Sequence, residues 1–109
     1  MEIDEETQKK IQELQSYEQA LHSLLLQKQA FQIELSEAEN ALSEVTKTKD
    51  EVFKIVGNIM IKAKKEDIEK DLKHKKEILS IRLKSIEKQE SEITKELEDV
   101  KEEVMKKIK

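Results

Sequence analysis

His22 and His74, with a dense scatter of Asp and Glu, are the first side chains in this 109-residue sequence to ask for chemistry. A zinc site needs His or Cys ligands at spacings that place several on one face. Neither histidine has a second His or Cys at ligand spacing and the chain holds no cysteine, so both read as solvated side chains and no metal is expected. Carboxylates do acid–base work when a dry pocket shifts their pKa, and nothing in this pattern promises such a pocket. One glycine cannot build a phosphate-binding loop, and neither GxSxG nor HExxH occurs. The expectation is a protein that is not an enzyme and carries no cofactor.

Lys73-His74-Lys75-Lys76 is a short basic cluster, but Glu69, Asp71 and Glu77 surround it, which makes it a solvated face. Across the chain 25 acidic and 21 basic residues interleave to a net charge of −4, and Arg82 is the lone arginine. That balance argues against nucleic acid as a partner, since phosphate neutralisation needs clustered cations. No stretch approaches the roughly 20 apolar residues that cross a bilayer. The N-terminus, Met1-Glu2-Ile3-Asp4-Glu5-Glu6, is acidic where a secretory signal is basic. No membrane is expected, and the lack of cysteine suits a cytoplasmic location.

With 42% charged, 36% hydrophobic and 3% aromatic residues and no proline, the chain lacks the material for an ordinary globular core. It does have a period. Steps of three and four residues from Leu14 run through Tyr17, Leu21, Leu24, Lys28, Phe31, Leu35, Ala38, Leu42, Val45 and Lys49 to Val52. A second series runs Ile68, Leu72, a polar step at Lys75 or Lys76, Leu79, Leu83, Ile86, Glu90, Ile93, Leu97, Val100 and Val104. Such a repeat is the seam of a left-handed coiled coil. The fold class expected is mainly α: a long antiparallel two-helix coiled coil, helix 1 over about 4–49 and helix 2 over about 66–107. Lys28 and Glu90, polar steps on the two seams, are expected to face each other and fix the register.

Between the helices "VFKIVGNIMIKA", residues 52–63, is β-branched and nearly uncharged, and holds the one glycine. Gly57-Asn58 between "FKIV" and "IMIK" has the form of a two-residue type II′ hairpin turn. The plain alternative, an apolar helix–helix corner, needs only two to five residues and no β-branched run. In the hairpin Val56 faces Ile59 and Ile55 faces Met60. Val52, Val56, Ile59, Ile61 and Ala63 then share one face, with Phe53, Ile55 and Met60 on the other. A lone hairpin with two apolar faces and open edges is expected to join other hairpins.

"VGNIMIKAKKEDI" after a long helix, and "EILSIRLKSIEKQESEI" in the return helix, resemble the beta-type subunits of prefoldin over essentially the whole chain, 1–109 as a single domain. The resemblance implies a hexamer of two alpha-type and four beta-type subunits, whose hairpins form a platform of β-barrels bearing six coiled coils. It implies ATP-independent capture of unfolded polypeptides at the distal tips and their delivery to a group II chaperonin. Assembly would then fall to Val52, Phe53, Ile55, Val56, Gly57, Asn58, Ile59, Met60 and Ile61. Client contacts would fall to Ile3, Ile11, Leu14, Val104, Met105 and Ile108. Ile11, Met105, Ile3 and Ile108 are apolar groups beyond what the seam near the termini needs. Leu25, Leu26, Ile33, Ile78 and Ile81 are also in excess of the seam, without a place that the sequence assigns. The rival reading is a structural coiled-coil adaptor that assembles by its helices alone and binds folded partners.

Overall fold

The computed structural model describes residues 4–108. Its elements are α1 (Glu5–Lys47), β1 (Val52–Val56), β2 (Ile59–Ala63) and α2 (Lys65–Ile108).

α1 contains neither proline nor glycine and opens on Glu5 and Glu6, whose charges oppose the positive end of the helix dipole. Asp4 caps it: the Thr7 amide donates to Asp4 Oδ1 at 2.7 Å. Hydrogen bonds from Thr7 hold the Asp4 carboxyl below the usual carboxylate range, with a smaller contribution from the Lys107 ammonium. The helix stops at Lys47, two residues before the expected end. The Thr48 amide still reaches the Glu44 carbonyl at 3.0 Å, but the Thr48 hydroxyl then accepts the Asp50 amide at 3.2 Å and turns the chain. Lys49, counted on the seam by its spacing, is thereby outside the helix and exposed.

α2 opens on Glu66 and Asp67 and closes on Lys106 and Lys107, again matched to the dipole. Lys65, a cation in its first turn, stands against that pattern until its partners are seen. Its ammonium donates to the Thr46 carbonyl at 3.1 Å and the Thr48 carbonyl at 3.0 Å, satisfying acceptors at the end of α1.

The chain divides into two compact units. The first takes α1 as far as Gln29 and α2 from Lys84 onward. Leu24, Ile86 and Val104 are buried there, and Leu14, Tyr17, Leu21, Ile93, Leu97 and Val100 are half-buried, as the seam spacing requires. Two further steps of the same spacing reach Lys10 and Thr7, and Thr7 is buried. The Lys28 ammonium lies 3.1 Å from Glu90 Oε1, with both side chains about three-quarters buried. The expected polar register point is therefore made.

The second unit, Ala30–Leu83, holds the other half of each helix and the hairpin. Ala38, Leu79 and Leu83 are buried, and Phe31, Leu35, Leu42, Val45, Ile68 and Leu72 line the seam half-buried. Of the two candidates for the polar step, Lys76 is half-buried on the seam and Lys75 is exposed. Full burial of a side chain such as Leu79 is worth roughly 1.5–3 kcal/mol. The Arg82 guanidinium lies over the Phe31 ring, 5.7 Å from its centroid, and closes the seam with a cation–π contact.

β1 and β2 pair antiparallel with Val52 opposite Ala63, Phe53 opposite Lys62, Lys54 opposite Ile61, Ile55 opposite Met60 and Val56 opposite Ile59. This is the register that a two-residue turn dictates. Gly57 has φ +61° and no other described residue has a positive φ, so the turn is II′-like rather than I′, which needs two.

Three outcomes follow from these features. Gly57→Ala places a Cβ in open space, with no heavy atom within 4 Å, so its cost of about 1–2 kcal/mol comes from φ alone. Amide exchange in the hairpin should rise in that variant and return to normal when D-alanine is introduced by chemical ligation. At the polar register point, Lys28→Glu or Glu90→Lys should each lower the thermal midpoint, and the double swap should restore most of it. A coupling of about 1 kcal/mol is expected from a double-mutant cycle. Because the folded Asp4 pKa is depressed, its contribution is present above the unfolded value and lost as pH falls through the folded value. Fraying of the first turn of α1, followed by amide exchange on acidification, should already be present at neutral pH in Asp4→Ala.

Candidate functional site

Two surfaces carry apolar side chains that the fold leaves to solvent. On the hairpin, the face bearing Val52 and Ala63 is half-buried only at that end, where the strands meet the helices. Toward the turn Val56, Ile59 and Ile61 on that face are 51%, 63% and 49% exposed. On the opposite face Phe53, Ile55 and Met60 are 52%, 70% and 65% exposed. Both faces and both outer strand edges are therefore open within the subunit, a combination that solitary sheets avoid. Lys54 and Lys62 keep the strands polar at one position each, through ion pairs to Asp71 at 3.9 Å and Glu51 at 3.0 Å.

The second surface lies at the ends of the helices in the first unit. Met105 is about half exposed, in a shallow depression bordered by Glu98, Lys101, Glu102 and Lys106. Ile108 is exposed, and Ile11 and Leu14 are half-buried. Val104 is only 6% exposed, because its side chain fills the seam against α1, and it offers no surface to another molecule. Ile3 lies outside the described residues. Ile11 was expected to be surplus to the seam; with Thr7 and Lys10 supplying the seam positions there, it shields their flank.

Ion pairs span these helix ends. Lys10 donates to Glu103 Oε2 at 2.9 Å and lies 3.7 Å from Glu6, and the hydrogen bond to Glu103 pushes its pKa up. Lys107 lies 3.8 Å from Asp4 and 3.7 Å from Glu6, so it bridges to α1 as well as complementing its own helix dipole. The negative charge of Glu96 raises the Tyr17 phenol, with partial burial adding to the effect.

Among the described residues, no group of His, Cys, Asp or Glu is arranged to hold a metal ion. No helix described is long and apolar enough to cross a membrane. Leu25, Leu26, Ile33 and Ile81 are exposed and Ile78 is half-buried. Lys65 was missed by sequence reasoning. The signal was present: a lysine in a helix's first turn opposes the dipole unless carbonyls from elsewhere accept its protons.

Comparison with known proteins bears on these surfaces. A family model described as "Prefoldin subunit" matches residues 8–109. The prefoldin subunit beta of Archaeoglobus fulgidus is 38% identical over 94 residues, covering 84% of this chain and 81% of the relative. That of Thermococcus kodakarensis is 36% identical over 100 residues, covering 90% and 86%. The crystal structure of the prefoldin beta subunit from Thermococcus strain KS-1 superposes with a TM-score of 0.89 at 33% identity, over 96% of this chain and 94% of that one. Helix, single hairpin and return helix thus coincide with a solved relative in sequence and in space, and the chain belongs to the prefoldin family, among its beta subunits.

Proposed function

We propose that residues 1–109 act as a single domain, the beta-type subunit of an ATP-independent holdase in the cytoplasm. The subunit combines with an alpha-type prefoldin subunit, four copies to two, and its hairpin supplies strands to a shared β-barrel platform. The helix ends hold unfolded polypeptides by many weak apolar contacts and release them to a group II chaperonin. No reaction is catalysed. Multivalent capture of this kind keeps aggregation-prone chains apart because several weak contacts act at high effective concentration.

The observation that carries the reading is the hairpin. Six of its apolar side chains, three on each face, are between 49% and 70% exposed, beside backbone edges with no neighbour in the subunit. A two-stranded sheet of this composition is marginal alone and becomes stable when further strands cover it. At the helix ends, Met105, Ile108, Ile11 and Leu14 support the capture role, Met105 best because its flexible thioether adapts to varied partners. Ile3 joins that set on the sequence alone. Val104 leaves it, since it is occupied in the seam.

The test is co-purification with an archaeal prefoldin alpha subunit, native mass spectrometry of the product and light scattering of an aggregating client. Ile59→Lys should abolish the mixed hexamer. Ile11→Ser with Met105→Ser and Ile108→Ser should leave the hexamer intact and weaken suppression of aggregation severalfold. Failure of the unmodified chain to form a mixed complex, with client aggregation unchanged, would favour the coiled-coil adaptor instead.

A further inference from the structure

Peroxides attack protein sulfur first, as thiolate or as thioether. This chain has no cysteine, so its sulfur is confined to three methionines, Met1, Met60 and Met105. Met1 lies outside the described residues. Met60 and Met105 are both more than half exposed, and solvent reaches each of them in the separate subunit. Their places in the proposed function differ. Met60 stands opposite Ile55 in the hairpin, on the surface given to assembly, where neighbouring strands cover it. Met105 belongs to the surface given to client capture, which stays open until a client arrives.

The depression around Met105 is bordered by Glu98, Lys101, Glu102 and Lys106. Lys101 lies four residues before Met105, one turn away on the same side of α2. Among the described residues no ion pair engages Lys101 or Lys106, whereas Lys10 and Lys107 at the same helix ends are both paired. A thioether sulfur is a weak acceptor and makes little use of two such ammonium groups. A sulfoxide carries a polar S–O group, for which they are ready donors. The site is therefore apolar as it stands and able to accommodate the oxidised side chain on its own helix.

We propose that Met105 is a redox-sensitive site at which hydrogen peroxide weakens client capture by the assembled subunit. The sulfur lone pair attacks one oxygen of the peroxide, the O–O bond breaks and an S–O bond forms. The second oxygen takes the proton of the first and leaves as water, so that sulfur is oxidised by two electrons and the peroxide reduced by two. A flexible apolar contact thereby becomes a polar one. Capture depends on several weak contacts acting together, so removing one from every beta-type copy lowers the total by more than one contact's share. The change is reversible, because methionine sulfoxide reductases restore the thioether. The inference rests on the reading that the helix ends hold clients.

The mixed complex with an archaeal alpha subunit is treated with hydrogen peroxide, quenched with catalase, and divided between peptide mass spectrometry and light scattering of an aggregating client. Oxygen is expected on Met105 and not on Met60, and suppression of aggregation should fall severalfold relative to the untreated portion. Reductases for both sulfoxide epimers, with a dithiol reductant, should restore it. A complex built with Met105→Leu is carried through the same treatment and compared with its own untreated portion, from which it should not fall. Met1 and the alpha subunit's methionines are common to both complexes, and native mass spectrometry checks that each remains a hexamer. Full oxidation of Met105 with suppression unchanged overturns the inference, and so does an equal loss in the Met105→Leu complex. Oxygen on Met60 as readily as on Met105 in the intact hexamer overturns it as well. If the untreated complex fails to form or to suppress aggregation, the proposed function falls and this inference with it.

Discussion

Two strands of five residues, joined by a two-residue turn, cannot cover themselves. Each has one paired edge and one open edge, and side chains alternate to two faces of which neither is closed by the helices toward the turn. Everything else in the unit that contains them is arranged around this deficit. The helices on either side bury a seam of their own and half-cover the strands only at Val52 and Ala63. Within the subunit the strands stay uncovered toward the turn, which is the observation behind the proposed assembly.

The seam itself is economical. Leucine, isoleucine and valine occupy most steps, but the steps filled by Thr7, Lys10, Lys28, Lys76 and Glu90 are polar. An apolar seam tolerates a slip of one heptad, whereas Lys28 facing Glu90 does not, since a slip would leave two charges half-buried without partners. Register is thus set by a charge pair and strength by the aliphatic residues around it. Toward the helix ends the balance shifts, with ion pairs of Lys10 and Lys107 replacing aliphatic packing across the seam and Val104 as the last buried apolar side chain described.

Much of this was legible in the sequence because it depends on periodicity and on one residue type. Gly57 alone fixed the turn and, through it, every cross-strand pair; the seam spacing located Leu24, Ala38, Leu79 and Ile86 in the interior. The end of α1 was misplaced by two residues because Thr48 and Lys49 do not break a heptad pattern, and the turn comes from a hydroxyl that accepts the Asp50 amide. Val104 stood on the seam by its spacing and joined the client contacts only through the family resemblance; its burial follows the spacing. Lys65 was missed for a different reason: its place in a helix's first turn signals that it needs acceptors, but these are main-chain carbonyls, which carry no letter in a sequence.

That same lysine has a mechanical consequence. The link from Thr48 to Glu51 is short and irregular, the kind of segment that ordinarily serves as a swivel. By gripping the carbonyls of both Thr46 and Thr48, Lys65 ties the start of the return helix to the end of the outgoing one on the far side of the strands. The strands leave from a closed collar. A torque applied to the helices next to that collar must first break those two hydrogen bonds before the strands can swivel independently.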